Sequence, residues 1–211
     1  MAPRIAVLLL ACALALAACG DSGDGGGEGG GDRDAEAAIE RTIVAFAKTD
    51  DPADCRELAT RRLHEQIGKS GYETALAVCE EAAVDPLVED AEKVTVSEIE
   101  VDGDSATAVA SFVGSGFDGQ TVRFALVERD GRWMHHELLG FVDFDAEKMA
   151  TEWGREMLLP AKSPLEVEAA TCVMDSLRKM DPKALEALML DDDPTPLIEM
   201  GQACASRSNA L

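Results

Sequence analysis

The groups with which this sequence could do chemistry are three histidines, six cysteines and a large surplus of carboxylates. His135 and His136 are neighbours in a run, Arg132 to Val142, that alternates like a strand. One of them must therefore face inward and the other outward. Either could act as a general base, although a hydrogen-bonded or exposed imidazole is the simpler reading of both. His64 stands alone in a helical stretch and reads as a surface residue. Tyr72, the single tyrosine, opens another helical stripe. Adjacent strand histidines diverge, and no further His or Cys stands at zinc spacing. The run Glu98-Ile99-Glu100-Val101-Asp102-Gly103-Asp104 imitates the opening of a calcium loop, but Val109 occupies the position of its closing Glu. Asp191-Asp192-Asp193 before Pro194 reads as a helix exit followed by a helix entry, with weak surface calcium binding as the alternative. No phosphate loop, nucleophile elbow or HExxH is present. The sequence thus predicts no catalytic residue, no metal site and no cofactor.

The balance of charge narrows the partners. Nineteen Lys and Arg stand against 41 Asp and Glu, a net charge of −22, and aromatics are only 4% of 211 residues. Nucleic-acid binding needs basic side chains and often stacking rings, so it is excluded.

The elements that must position these groups follow from periodicity. Structure is expected from about Asp34, where Ile39, Ile43, Phe46 and Ala47 keep helical spacing. Asp51-Pro52 reads as a cap and first position of a second helix carrying Cys55, Leu58, Ala59 and Leu63. Ser70 to Glu73 has capping-box spacing for a third, with Tyr72, Ala75, Leu76, Cys79, Ala82 and Ala83 on one stripe. Four runs then alternate with period two: Lys93–Val101, Ser105–Val113, Gln120–Glu128 and Arg132–Val142. Asp102-Gly103, Asp118-Gly119 and Asp130-Gly131 stand between them, which predicts tight hairpins and a four-stranded antiparallel meander. The apolar set of the first run shifts from Val94 and Val96 to Ile99 and Val101, which predicts a bulge near Ser97-Glu98. After Asp145 the pattern is helical again. Met149, Trp153, Met157 and Leu158 form one stripe. Ser163-Pro164, Asp181-Pro182 and Thr195-Pro196 each open a further helix.

Residues 1–18 join one basic residue, Arg4, to an apolar stretch that is short for a membrane span. The stretch contains Cys12 and ends Leu16-Ala17-Ala18-Cys19-Gly20, which resembles the lipobox of bacterial lipoproteins. The resemblance implies cleavage before Cys19, a diacylglycerol thioether on that residue, and a location at the extracytoplasmic face of the cell membrane. A lipidated Cys19 would be the membrane partner. Residues 19–33 would then be a tether of Gly and acidic residues with no apolar side chain to bury. As a coil it would reach about 20 Å. Export places the four remaining cysteines in an oxidising compartment. Cys55 and Cys79 lie on apolar sides of two neighbouring helices, and Cys172 and Cys204 do the same near the C-terminus. These positions predict Cys55–Cys79 and Cys172–Cys204 bridges, with four buried free thiols as the alternative.

Helices followed by a curved meander make a cone-shaped α+β domain of three helices and four strands. Residues 34–145 resemble the nuclear transport factor 2-like domains found in some bacterial lipoproteins. The resemblance is carried by Cys79-Glu80, Val94 to Asp104, Ala106 to Ala108, Asp118 to Val122 and Asp130 to Trp133. Residues 146–211 form a small all-helical module outside it. The family includes transport factors, polyketide cyclases and a steroid isomerase as well as binding modules, so fold alone carries no function. The expectation is a non-catalytic binding module at the envelope, facing a protein, a cell-wall component or a small molecule. The alternative is a small-molecule binder or an isomerase or cyclase using the cone cavity. Polar groups converging in that cavity would favour an enzyme, and a closed apolar filling would favour a protein-facing module.

Overall fold

The computed structural model describes residues 30–48, 50–85, 88, 90–158 and 163–208. Four helices come first: α1 (Gly30–Phe46), α2 (Asp54–Glu57), α3 (Arg61–Gly68) and α4 (Tyr72–Ala82). Four strands follow: β1 (Ala91–Asp102), β2 (Ser105–Gly114), β3 (Thr121–Arg129) and β4 (Arg132–Asp143). The chain ends in α5 (Ala146–Leu158), α6 (Pro164–Arg178), α7 (Pro182–Leu190) and α8 (Thr195–Ser208). Helix α1 starts at Gly30, before the Asp34 expected from apolar spacing. The Cys19 lipid site and the rest of the tether and leader lie outside the described residues.

The strands form one antiparallel sheet in the order β1-β2-β3-β4, which is the expected meander of an α+β fold. Two of the three Asp-Gly pairs make two-residue turns, of different kinds. At Asp130-Gly131 both residues have positive φ, 52° and 76°, as a type I′ turn requires. At the β1–β2 turn Asp102 pairs with Ser105, so Gly103 and Asp104 are the central residues. Asp118-Gly119 is not a tight hairpin. It closes a longer loop in which the Gly114 N–H donates to Asp118 Oδ1 at 2.8 Å and Gly119 takes φ 73°. The β1 bulge is present: the register slips between Ser97 and Glu100, and Glu98 has φ 48°.

Strand β4 carries irregularities that alternation did not reveal. Opposite β3, Ala125 pairs with Glu137 and Leu126 with His135, leaving His136 as the extra residue. A bulge switches the face to which the next side chains point. Trp133 and His135 face the core before it, and Leu138 after it. That core is built from Ala106, Ala108, Ala110 and Phe112 of β2, Val122, Phe124 and Leu126 of β3, and Ile39 and Ile43 of α1. The Thr42 hydroxyl donates to the Trp133 carbonyl at 3.2 Å and ties α1 to β4.

The expected second helix, from Asp51 to Leu63, is split in two. Leu58 O accepts from His135 N and Thr60 N donates to His135 O, both at 2.8 Å, so Ala59 lies as a short extended bridge against β4. Extended backbone cannot continue a helix, and α2 is left as a single turn capped by Leu58 N on Asp54 O. The expected capping box at Ser70 is also absent, because Gly71 is the cap residue of α4 and accepts no side-chain bond. At α6 the expected box is complete. Glu166 N donates to Ser163 Oγ at 3.3 Å, and Ser163 N donates to Glu166 Oε2 at 2.8 Å. At α7 the Asp181 carboxylate accepts from Lys183 N and Ala184 N.

Disulfides join Cys55 to Cys79 and Cys172 to Cys204, with Cα–Cα distances of 6.1 and 5.6 Å. The first ties the α2 turn to α4, and the second ties α6 to α8. A second core cluster of Ala150, Val173, Leu177, Leu185, Leu188 and Cys204 forms among the C-terminal helices. Those helices also dock on the first part of the chain, which the sequence did not indicate. Arg62 of α3 pairs with Glu137 of β4 and with Asp192 after α7, Lys69 Nζ donates to Met189 O at 2.7 Å, and Gln66 Nε2 donates to Leu190 O at 3.1 Å.

Candidate functional site: an aromatic cavity around His135

Six buried polar side chains are found among the described residues: Thr42, Thr60, His64, Gln66, Gln120 and His135. Five have evident partners. Thr42 bonds Trp133 O, and Thr60 Oγ1 meets His136 Nδ1 at 3.1 Å. Gln66 and Gln120 use their amides as stand-ins for a strand. Gln66 bonds both backbone groups of Leu138, and Gln120 bonds both backbone groups of Asp145. His64, expected at the surface, is 5% exposed and its Nε2 donates to Cys55 O at 2.6 Å. The turn α2 and helix α3 fold over it, an arrangement that single-helix periodicity could not show.

His135 differs from all of these. It is 1% exposed, and neither ring nitrogen has a hydrogen-bond partner among the described residues. Its ring lies against Phe46 of α1 and Phe124 of β3, each with a centroid separation of 5.0 Å. Burial without a compensating charge lowers its pKa to about 3, so the imidazole is neutral at physiological pH. A buried polar group without a partner costs about 1–3 kcal/mol. It is neither the satisfied nor the exposed histidine that the sequence suggests. Its neighbour His136 occupies the bulge and turns to Thr60, outside the core.

His135 lines a partly open cavity of about 250 Å³. The walls are largely apolar and aromatic: Ile43 and Phe46 from α1, Phe112, Phe117 and Phe124 from the sheet and its loop, and Ala82 and Ala83 at the end of α4. Cys79 also reaches the cavity, so the first disulfide holds one wall in place. Trp153 of α5 and Met189 of α7 bring the C-terminal helices into the lining. Asp90 is exposed at the rim and is the one charged lining residue among the described residues. Apart from His135 and the rim carboxylate of Asp90, these are residues with no acid–base chemistry, and a reading for reactive groups passes over them. The signal available was the aromatic content of the inward faces.

The other sequence candidates are dispersed. Tyr72 lies under the Arg61 guanidinium, 5.6 Å from its ring centre, and is not a cavity residue. Asp118 braces its loop, and its pKa is lowered by the Gly114 N–H and then by Lys148. The run from Glu98 to Asp104 is spread along β1 and its turn, with Glu98 paired to Arg123 at 2.7 Å. Asp191, Asp192 and Asp193 have structural tasks: Asp191 Oδ1 accepts from Asp193 N, Asp192 pairs with Arg62, and Asp193 Oδ1 accepts from Thr195 N. Among the described residues no group of three or more His, Cys, Asp or Glu could hold a metal ion. None of the described helices is long and apolar enough to cross a membrane.

No family model matches the chain, and no curated protein matches it. Among solved structures it is similar to an NTF-2-like protein of unknown function from Silicibacter pomeroyi. The identity is 16% and the TM-score 0.35, over 49% of this chain and 92% of that one.

Proposed function

We propose that this chain is a lipid-anchored lipoprotein of the extracytoplasmic face of the cell membrane, held there through Cys19. Its folded body is a non-catalytic binding module of nuclear transport factor 2-like design. The lipobox-like run before Cys19 supports the anchor, and the two disulfides suit an oxidising compartment. The cavity supports binding of a small, mainly apolar molecule, since such sites are concave and apolar with few polar groups. The observation that carries this reading is His135. Among the described residues it is the one buried polar side chain without a partner, and it stands in the wall of the cavity. A neutral imidazole with so low a pKa, and no hydrogen-bonded carboxylate, suits holding a ligand rather than taking a proton from one.

Two experiments test the two halves. Metabolic labelling with a fatty-acid probe should mark the wild-type protein and not the Cys19→Ser variant, and equal labelling of both would refute the anchor. Titration with the neutral apolar fluorophore N-phenyl-1-naphthylamine should give saturable binding, weakened by Trp153→Ala. A non-saturating response would remove the binding role.

A further inference from the structure

The cavity walls contain information about the charge of what they hold. A neutral imidazole offers one N–H donor and one acceptor nitrogen, so a hydroxyl can satisfy either and a carbonyl can accept from the N–H. An alkyl group satisfies neither. An ionised group would have to leave water for a site whose one charged lining residue among those described, Asp90, stays at the exposed rim. Burying an unpaired charge costs its hydration for either sign, and cation–π contact with the rings offsets only part of that cost for a cation. An anion also meets Asp90 and the field of a chain with a net charge of −22. The apolar remainder of a ligand has the rings of Phe112, Phe117 and Phe124 on the sheet side. On the other side it has Trp153 and Met189, which come from helices lying beyond the sheet domain.

We propose that the cavity selects an uncharged amphiphile, an alcohol or ketone with an apolar body. The ring nitrogens of His135 are shut off from water in this structure. The ligand must therefore part the rings of Phe46 and Phe124 to bring its one polar group to the imidazole, while Trp153 and Met189 of the C-terminal helices cover its apolar part. This rests on the reading of the cavity as a binding site. It makes the C-terminal helices part of that site and not an appended module. Helix α7 is held for this task by the contacts of Arg62, Gln66 and Lys69 of the α3 segment with the stretch from Met189 to Asp192.

The test uses the full chain and three probes of equal chain length, 1-octanol, octanoate and octylammonium, each displacing N-phenyl-1-naphthylamine at neutral pH. Octanol should displace the fluorophore at a concentration at least about tenfold lower than either ion, because each ion must shed its hydration to enter. His135→Phe should lose about tenfold, one net hydrogen bond, for octanol relative to the fluorophore, read as the ratio of the two affinities in each protein. Trp153→Ala and Met189→Ala should weaken both molecules. Octanoate or octylammonium competing as well as octanol overturns the charge selection, a comparison that needs only the wild-type protein. Unchanged octanol displacement in His135→Phe overturns the role of the imidazole, and unchanged affinities in both helix variants overturn the composite site. Failure of the wild-type protein to bind the fluorophore at all sinks the binding reading itself, and is thereby told apart from the other failures.

Discussion

Around the sheet, the core encloses a cavity and contains all six buried polar side chains found among the described residues. Around α5 to α8, the buried side chains are apolar, and packing is so close that a Cβ on Gly154 would collide with Met174. The two regions are each fastened by one disulfide and are otherwise unlike. Close packing is the ordinary state of a protein interior, and its relaxation needs a reason. In the sheet region the relaxed spot coincides with a histidine that has no partner. Among the described residues the helical region has no such spot, and it presents two of its residues, Trp153 and Met189, to the cavity of the other. One region is shaped for a guest, and the other is shaped to be a wall.

The largest effect should come from unfastening the wall. Replacing Cys172 and Cys204 together by Ser should lower stability by about 3–4 kcal/mol on the chain-entropy estimate, read by chemical denaturation. Fluorophore affinity should fall with it, because α7 loses support. Unchanged affinity would separate the two regions and break the comparison. Next is Gly154→Ala. A methyl there must displace Met174, and overpacking of this kind costs about 1–3 kcal/mol, whereas Ala in an unconstrained helix position would stabilise. A higher melting temperature would show that the helical core is looser than described.

His135→Leu should change stability in the opposite direction, raising it by about 1–2 kcal/mol at pH 7, because an unpaired polar group is removed from the core. The sign of its pH dependence follows from the depressed pKa. Between about pH 6.5 and 3 the unfolded chain binds a proton that the native imidazole refuses. The wild-type protein therefore keeps its stability above that window and loses it as pH falls, by up to about 1.4 kcal/mol per unit. The variant lacks this loss, so its advantage should widen in acid, measured as the difference between the two denaturation curves. A destabilised variant would mean that the imidazole has a partner after all. The smallest effect belongs to Arg62→Ala. Its guanidinium pairs with Glu137 and Asp192, but the side chains are between about a third and a half exposed. The loss should stay below about 1 kcal/mol and shrink in salt.

Much of this was legible in the sequence because it is local. Alternation with Asp-Gly punctuation marks the meander, the apolar shift from Val96 to Ile99 marks a bulge, and Ser163-Pro164 with Glu166 marks a helix start. What was not legible depends on distant chain. The break between α2 and α3 exists because Leu58 and Thr60 bond the backbone of His135. His64 is buried because a neighbouring turn offers the Cys55 carbonyl. Asp118-Gly119 looks like the other two Asp-Gly pairs, but the carboxylate instead holds Gly114 and Lys148. The chemistry-bearing residue of the site was visible as a residue, but its condition was not. Only the meeting of Phe46, Phe124 and β4 leaves His135 buried and unpartnered.

The most direct measurement is therefore the imidazole itself. Ring 1H and 15N shifts of the three histidines should be followed by NMR as 1-octanol is added to the full-length protein. Contact between the imidazole and a bound alcohol should give saturable shifts at His135, with the Trp153 indole moving in parallel and His64 and His136 nearly still. Shifts confined to His136 or His64, or a silent His135 at saturating octanol, would contradict it.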